Sequence, residues 1–128
     1  MPTISGQFAW PKQADNFRYE SVAELVFGEK DNGASVQLRR GTKITVELNE
    51  NPTTGYRWMI SSIDEVFLVP EGDAFLTGDQ IGLGGGGVRR FFFRAKEPGY
   101  TALNLINKRA WQRDDQAVGS FKLAIRIL

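Results

Sequence analysis

Hydrophobic and polar residues alternate along most of the chain with a period of two, which is typical of strands with one buried face. The apolar positions of the three clearest segments are Ile44, Val46 and Leu48, then Phe91, Phe93 and Ala95, and finally Phe121, Leu123, Ile125 and Ile127. Shorter alternating segments begin at Val36, Tyr56 and Tyr100. The pattern predicts about six strands or more, as in a sandwich or barrel.

Turn-forming residues separate these segments. They are Asp31-Asn32-Gly33, Asn51-Pro52, Pro70-Glu71-Gly72-Asp73, the glycines at 82–87, Glu97-Pro98-Gly99 and Asp114-Asp115. Short strands joined by such turns predict an all-β fold, either an antiparallel β-sandwich or a barrel. Residues 21–27 fit a short helix and a strand equally well.

The chain length and the absence of repeats or linkers predict a single domain. We place this domain at residues 23–128. Residues 1–22 carry aromatic side chains without periodicity. We expect them to form an N-terminal extension that either covers a sheet edge or extends as an arm.

The composition favours binding over catalysis. The chain contains no Cys and no His, which excludes thiolate nucleophiles and removes the commonest general base and metal ligand. We therefore expect neither a metal nor a cofactor. Sixteen basic and fifteen acidic residues give a net charge of +1, which does not indicate a nucleic-acid or membrane-surface partner.

Sequence features do not assign a compartment. No apolar run is long enough to span a bilayer, and the first residues do not resemble a signal peptide. A cytoplasmic protein and a processed secreted protein would both fit this description. We expect a monomer.

The first unusual segment, here called the threonine loop, joins two strongly alternating strands. It consists of Asn51, Pro52, Thr53, Thr54, Gly55 and Tyr56. Pro52 fixes one backbone angle and restricts the residue before it, while Gly55 can adopt a positive φ. The segment is either an ordinary strand connection or a stiff binding loop that loses little entropy on association.

The second unusual segment, the glycine loop, spans residues 82–87. Its glycines match the dinucleotide-binding pattern GxGxxG, but that motif requires a following helix. Residues 88–95 are aromatic and strand-like, so we reject this interpretation. The loop is either flexible surface backbone or exposed backbone that pairs with an extended peptide.

The third segment, the tryptophan loop, spans residues 108–112 and places Trp111 among polar neighbours. Trp and Arg dominate the energetics of many protein interfaces because each combines a large contact area with a polar group. Trp111 therefore either packs back on the sandwich or makes contact with a partner. Loops at one end of a sandwich can combine into one surface.

These three loops resemble the binding motifs of the chagasin family, which inhibits papain-like cysteine peptidases in protozoa and bacteria. The family's NPTTG-aromatic motif is intact at residues 51–56, and its GxGG motif matches Gly84, Gly85, Gly86 and Gly87. The third motif, Arg-Pro-aromatic, appears as Arg109, Ala110 and Trp111, with Ala110 in the place of proline. The similarity extends from about Ala23 to Leu128.

The resemblance implies an immunoglobulin-like β-sandwich that blocks a peptidase cleft reversibly and competitively with three loops. It places Thr53 and Thr54 near the catalytic cysteine of a papain-like peptidase. It also places the glycine loop beside the non-primed subsites and Trp111 on the primed side. The chain would then be an inhibitor and not an enzyme.

Two alternatives come from other residues. Arg89, Arg90, Phe92 and Arg94 could form a basic aromatic strip that binds single-stranded nucleic acid, or the module could bind carbohydrate. The adjacent acidic pairs Asp64-Glu65 and Asp114-Asp115 could serve an enzyme, but neighbours in sequence seldom converge on one substrate, and solvated turns explain both pairs.

Overall fold

The computed structural model of the protein describes residues 24–79 and 86–128. This part of the chain contains eight strands in two four-stranded sheets. The strands are β1 (Glu24–Phe27), β2 (Ser35–Leu38), β3 (Lys43–Glu50), β4 (Tyr56–Ser62), β5 (Leu68–Thr77), β6 (Gly87–Ala95), β7 (Gly99–Arg109) and β8 (Gly119–Ile127). Short 3-10 turns lie at Glu29–Asp31, Pro52–Thr54 and Asp114–Gln116. The extension predicted at residues 1–22 lies outside the described residues.

The two sheets have the strand orders β1-β3-β6-β5 and β2-β8-β7-β4. Four strand pairs are antiparallel, namely β3–β6, β5–β6, β4–β7 and β7–β8. The edge strands β1 and β2 pair in parallel with β3 and β8. A parallel pair needs a crossover, and the chain supplies one by visiting the other sheet between β1 and β3. The predicted immunoglobulin-like β-sandwich is confirmed, with one parallel edge strand in each sheet.

The core lies between the sheets and consists of the apolar faces that the alternation predicted. Its fully buried side chains include Phe93, Phe121, Leu38, Ile44, Leu48, Leu68, Leu103, Leu105, Leu123 and Val46. Burying one such side chain contributes about 1.5–3 kcal/mol relative to leaving it exposed. The packed sandwich therefore forms a rigid scaffold for the loops at its ends.

The structure corrects the prediction for residues 70–73 and decides between helix and strand for residues 24–27. The turn predicted at residues 70–73 is wrong, because these residues belong to β5 and form a bulge opposite β6. A bulge inserts extra residues on one strand, which accommodates Pro70 and Gly72 on an edge. Residues 24–27 form a strand rather than a helix. Among the described residues, no helix is long and apolar enough to cross a membrane.

Candidate functional site

Strand register brings the described parts of the three loops to one end of the sandwich. The threonine loop connects Glu50, the last residue of β3, to Tyr56, the first residue of β4. Glu50 is paired with Gly87, where the glycine loop enters β6. Tyr56 is paired with Arg109, where β7 enters the tryptophan loop. We call this end of the molecule the rim. Gly84 and Gly85 lie outside the described residues.

Hydrogen bonds within the threonine loop fix its shape. The side-chain oxygen Oδ1 of Asn51 accepts from the backbone N–H of Thr53 at 3.1 Å and from its hydroxyl at 2.7 Å. The Thr54 hydroxyl donates to the backbone oxygen of Asn51 at 2.8 Å and accepts from the Tyr56 N–H at 3.3 Å. Asn51 thus acts as the N-terminal cap of a single 3-10 turn. Both threonine hydroxyls donate inside the loop.

The residue before the end of the threonine loop has a backbone conformation that favours glycine. Gly55 has a φ of 82°, in the left-handed region that other residues rarely adopt. Its N–H donates to the Pro52 oxygen at 3.2 Å and closes the turn. A side chain at this position would also meet the Trp111 ring, since an added Cβ would lie 3.8 Å from the indole Cη2. The loop and the indole are therefore neighbours.

The tryptophan loop begins with a tight turn that a glutamine side chain closes. The Gln112 N–H donates to the Arg109 oxygen at 3.0 Å, and the Arg109 N–H donates to the Gln112 side-chain oxygen at 2.8 Å. Lys108 Nζ donates to the Gln112 backbone oxygen at 2.6 Å. With Ala110 in the proline position, these bonds stabilise the turn. The role of Gln112 in closing this turn was not predicted, because a glutamine in a polar loop gives no distinctive signal.

Arg109 joins the tryptophan loop to the threonine loop. Its guanidinium lies over the Tyr56 ring, with Cζ 4.3 Å from the ring centroid, and its Nε donates to the Thr54 backbone oxygen at 3.2 Å. Trp111 beside it is 77% exposed, so it does not pack back on the sandwich. The rim thus presents an exposed indole next to a hydrogen-bonded turn.

The described end of the glycine loop is held by the backbone of Gly78, the residue that follows β5. The Gly86 oxygen accepts from the Gly78 N–H at 2.7 Å. A Cβ at Gly87 would overlap the Leu76 backbone oxygen and lie 2.6 Å from Phe75 Cζ. The close approach of neighbouring chain explains why position 87 has no side chain. The fold itself therefore requires glycine at position 87, whether or not a partner binds there.

A buried ion pair lies under the rim. Glu50, whose side chain is fully buried, receives a 2.6 Å ion pair from Arg89 Nη2, and Arg89 Nη1 lies 2.8 Å from Asp73 Oδ2. The hydrogen bond to Glu50 raises the pKa of the Arg89 guanidinium above its ordinary value, against the effect of burial. Arg89 therefore stays charged, and its pairing with Glu50 was not predicted from the sequence.

The basic strip considered for nucleic-acid binding is neutralised. Besides the Arg89 pair with Glu50 and Asp73, Arg90 Nε lies 2.7 Å from Glu47 and Arg94 Nε lies 2.9 Å from Glu71. A strip that binds phosphates needs cations free to replace counterions. These arginines are paired with carboxylates of neighbouring strands, and the arrangement favours the interpretation as an ordinary sheet face.

The acidic pairs considered for an enzyme form turns. Asp64 Oδ1 accepts from the Val66 N–H at 3.0 Å. Asp114 lies 3.2 Å from Lys108 Nζ, and Asp115 lies 3.1 Å from Arg113 Nε. In residues 24–79 and 86–128, no group of three or more acidic side chains is arranged to hold a metal ion.

Comparison with known proteins identifies the family. The family model described as "Chagasin family peptidase inhibitor I42" matches residues 37–125. Chagasin of Trypanosoma cruzi is 32% identical over 85 residues, which span 62% of this chain and 76% of that protein. The region that the family model matches contains all three loops.

Solved structures share the fold. The cysteine protease inhibitor EhICP2 from Entamoeba histolytica has a TM-score of 0.72 and 20% identity, covering 84% of this chain and 98% of that one. PbICP-C, solved in complex with falcipain-2, has a TM-score of 0.55 and 13% identity, covering 84% of this chain and 91% of that one. The family match and the 32% identity to chagasin show that the chain belongs to the chagasin family of peptidase inhibitors, whose members are not enzymes.

Proposed function

We propose that this chain inhibits papain-like cysteine peptidases reversibly by inserting the rim into the substrate cleft. The observation that carries the proposal is the contact of Arg109 with both Tyr56 and the Thr54 oxygen. It makes the threonine and tryptophan loops one continuous surface. The residues that bind the peptidase are then 51–56 and 109–111, with Gly84, Gly85, Gly86 and Gly87 as the third contact.

The threonine loop has the properties of an inhibitor rather than a substrate. A peptide that binds in a cleft through backbone hydrogen bonds is extended. Residues 52–54 instead form a 3-10 turn that the Gly55 N–H closes. The turn would bring Thr53 and Thr54 to the catalytic cysteine without offering an extended peptide bond. Because the loop is already braced, it loses little entropy when it binds. The inhibitor would remain uncleaved.

The other loops would supply affinity on either side of the turn. Trp111 offers a large exposed ring of the kind that forms interface hot spots. The glycine loop would place backbone N–H and C=O groups, without side chains, against the peptidase backbone. Membership of the chagasin family supports this arrangement.

Titration of papain activity with a fluorogenic peptide substrate tests the proposal. We expect competitive inhibition with a constant near 1 nM, which corresponds to about −12 kcal/mol of binding free energy. Mass spectrometry after incubation should find the inhibitor intact, and trypsin should be unaffected. Full papain activity at saturating inhibitor would refute the proposed function.

Replacing Asn51 with alanine should raise the inhibition constant about fivefold. The loss of two bonds to Thr53 leaves the turn without its cap, and such caps contribute about 1 kcal/mol. Asn51→Asp keeps the accepting oxygen and is the matched control in amide-exchange measurements of the turn. The same inhibition constant for Asn51→Ala and the wild type would show that preorganisation of the turn is unimportant.

Replacing Arg109 with lysine should also weaken inhibition about fivefold, although the charge is kept. Lysine lacks the planar guanidinium that covers Tyr56 and has no Nε–H to donate to Thr54. Arg113→Lys is the control, because Arg113 is exposed and pairs with Asp115 on the same loop connection. Equal effects of both variants in the papain titration would contradict a specific role for Arg109.

A further inference from the structure

The buried carboxylate of Glu50 connects both sides of the threonine loop. Its Oε1 accepts from the Trp58 backbone N–H at 2.8 Å, on the strand that follows the loop. The Trp58 indole N–H in turn donates to the Asn49 backbone oxygen at 2.9 Å. Because β3 and β4 belong to different sheets, the loop crosses between the sheets. These side-chain bonds at its base therefore set where it emerges.

The same carboxylate connects to the strands that flank the glycine loop. Arg89, two residues after Gly87 on β6, donates to Glu50 through Nη2 at 2.6 Å and through Nε at 3.2 Å. Its Nη1 donates to Asp73 of β5 at 2.8 Å, and its guanidinium lies 5.1 Å from the Phe75 ring centroid. Glu50 is thus bonded to β4 and β6 directly and to β5 through Arg89.

Stability alone does not account for this pair. Burying two charges costs desolvation that their attraction often fails to exceed, and apolar replacements are frequently neutral or stabilising. Directional bonds differ from apolar packing in that they select one geometry. The position of the pair is also specific, since it lies where the threonine loop leaves β3 and the glycine loop enters β6.

We propose that Glu50 and Arg89 are positioning residues that hold the threonine loop and the glycine loop in the relative placement the peptidase cleft requires. This inference rests on the proposed function. Neither residue needs to touch the peptidase, because both act through the loops above them. The pair makes the rim a preorganised unit and reduces the entropy lost on binding.

The variant Glu50→Gln tests this with little change in shape. The glutamine amide nitrogen would replace a carboxylate oxygen that accepts hydrogen bonds from Arg89. This nitrogen is itself a donor, so it would face the Arg89 donors without an acceptor. We expect the inhibition constant for papain to rise about tenfold, the size of a lost hydrogen bond to a charged group. Hydrogen exchange of the Gly55 and Gly78 amides, which close the two loops, should accelerate about tenfold, while core amides of β7 and β8 stay protected.

Glu47→Gln is the matched control. Glu47 pairs with Arg90 at 2.7 Å, on the same two strands as the Glu50–Arg89 pair, but its side chain is 34% exposed. This variant should leave both loop exchange and inhibition within about twofold of the wild type, as expected for a partly exposed ion pair. An equal effect of Glu47→Gln and Glu50→Gln would overturn the proposal.

A double variant, Glu50→Met with Arg89→Met, separates positioning from stability. We expect only a modest fall in melting temperature, because no buried charge loses its partner although the Trp58 backbone N–H loses its acceptor. Inhibition should be weakened at least as much as in Glu50→Gln. Unchanged inhibition by the double variant, or loop exchange unaffected in Glu50→Gln, would overturn the inference. The exchange experiment needs no peptidase. A wild-type chain that fails to inhibit papain would refute the proposed function while exchange still reports on the coupling of the loops.

Discussion

Thr54→Glu should raise the inhibition constant for papain by about 150- to 5000-fold, the largest effect we expect from a single substitution. In the free protein Thr54 is exposed, so a carboxylate there would remain hydrated. In the complex it would be transferred into the cleft without a partner, and an uncompensated buried charge costs about 3–5 kcal/mol. The melting temperature should fall only slightly, through loss of the hydroxyl bonds to Asn51 and Tyr56. Papain titration and thermal unfolding measure the two effects.

Two control variants separate charge from size and position. Thr54→Gln has the same length as the glutamate and loses the same hydroxyl, so it should weaken inhibition far less. Ser62→Glu adds the same charge at an exposed position at the far end of β4 and should leave inhibition unchanged. If Gln and Glu at position 54 are equally harmful, the threonine loop does not enter a desolvated site.

The fold was predictable where one strand face is buried and the other is not. The strand at Ile44, Val46 and Leu48 could be predicted from its alternation of apolar and polar residues. A one-residue shift in register would move all of its buried side chains to the solvent face, so the alternation must be strict. β5 was not predictable in the same way. Its Pro70 and Gly72 are ordinary turn signals, and the bulge that accommodates them depends on pairing with β6. The parallel pairing of β1 with β3 and of β2 with β8 likewise depends on contacts between separate parts of the chain.

The three candidate binding loops stand out in the sequence by their motifs, whereas the side-chain contacts between them do not. A signal for the buried ion pair was nevertheless present. Glu50 continues the buried alternation of Val46 and Leu48, and Arg89 continues that of Phe91 and Phe93. A charge in phase with a buried face needs a partner. Matching Glu50 to Arg89 required the register of β3 on β6, which the sequence does not supply.

The proposed contact with a peptidase would explain the exposed indole of Trp111, which packing within the fold does not. The ring is 77% exposed and contributes little buried area to the sandwich. Arg109 and Gln112 hold the turn that carries it, so the ring is presented from a braced backbone. A large apolar ring held outward beside the threonine loop is the arrangement expected of an interface anchor.

Trp111→Ala should therefore raise the inhibition constant about thirtyfold, or about 2 kcal/mol, with no measurable change in melting temperature. Tyr100→Ala is the matched control, because Tyr100 is an equally exposed aromatic residue, at 75%, at the opposite end of β7. It lies nine residues from Arg109, or about 30 Å along the strand, and its removal should not affect inhibition. Papain titration of the two variants side by side decides the question, since equal inhibition constants would mean that the indole makes no contact with the peptidase.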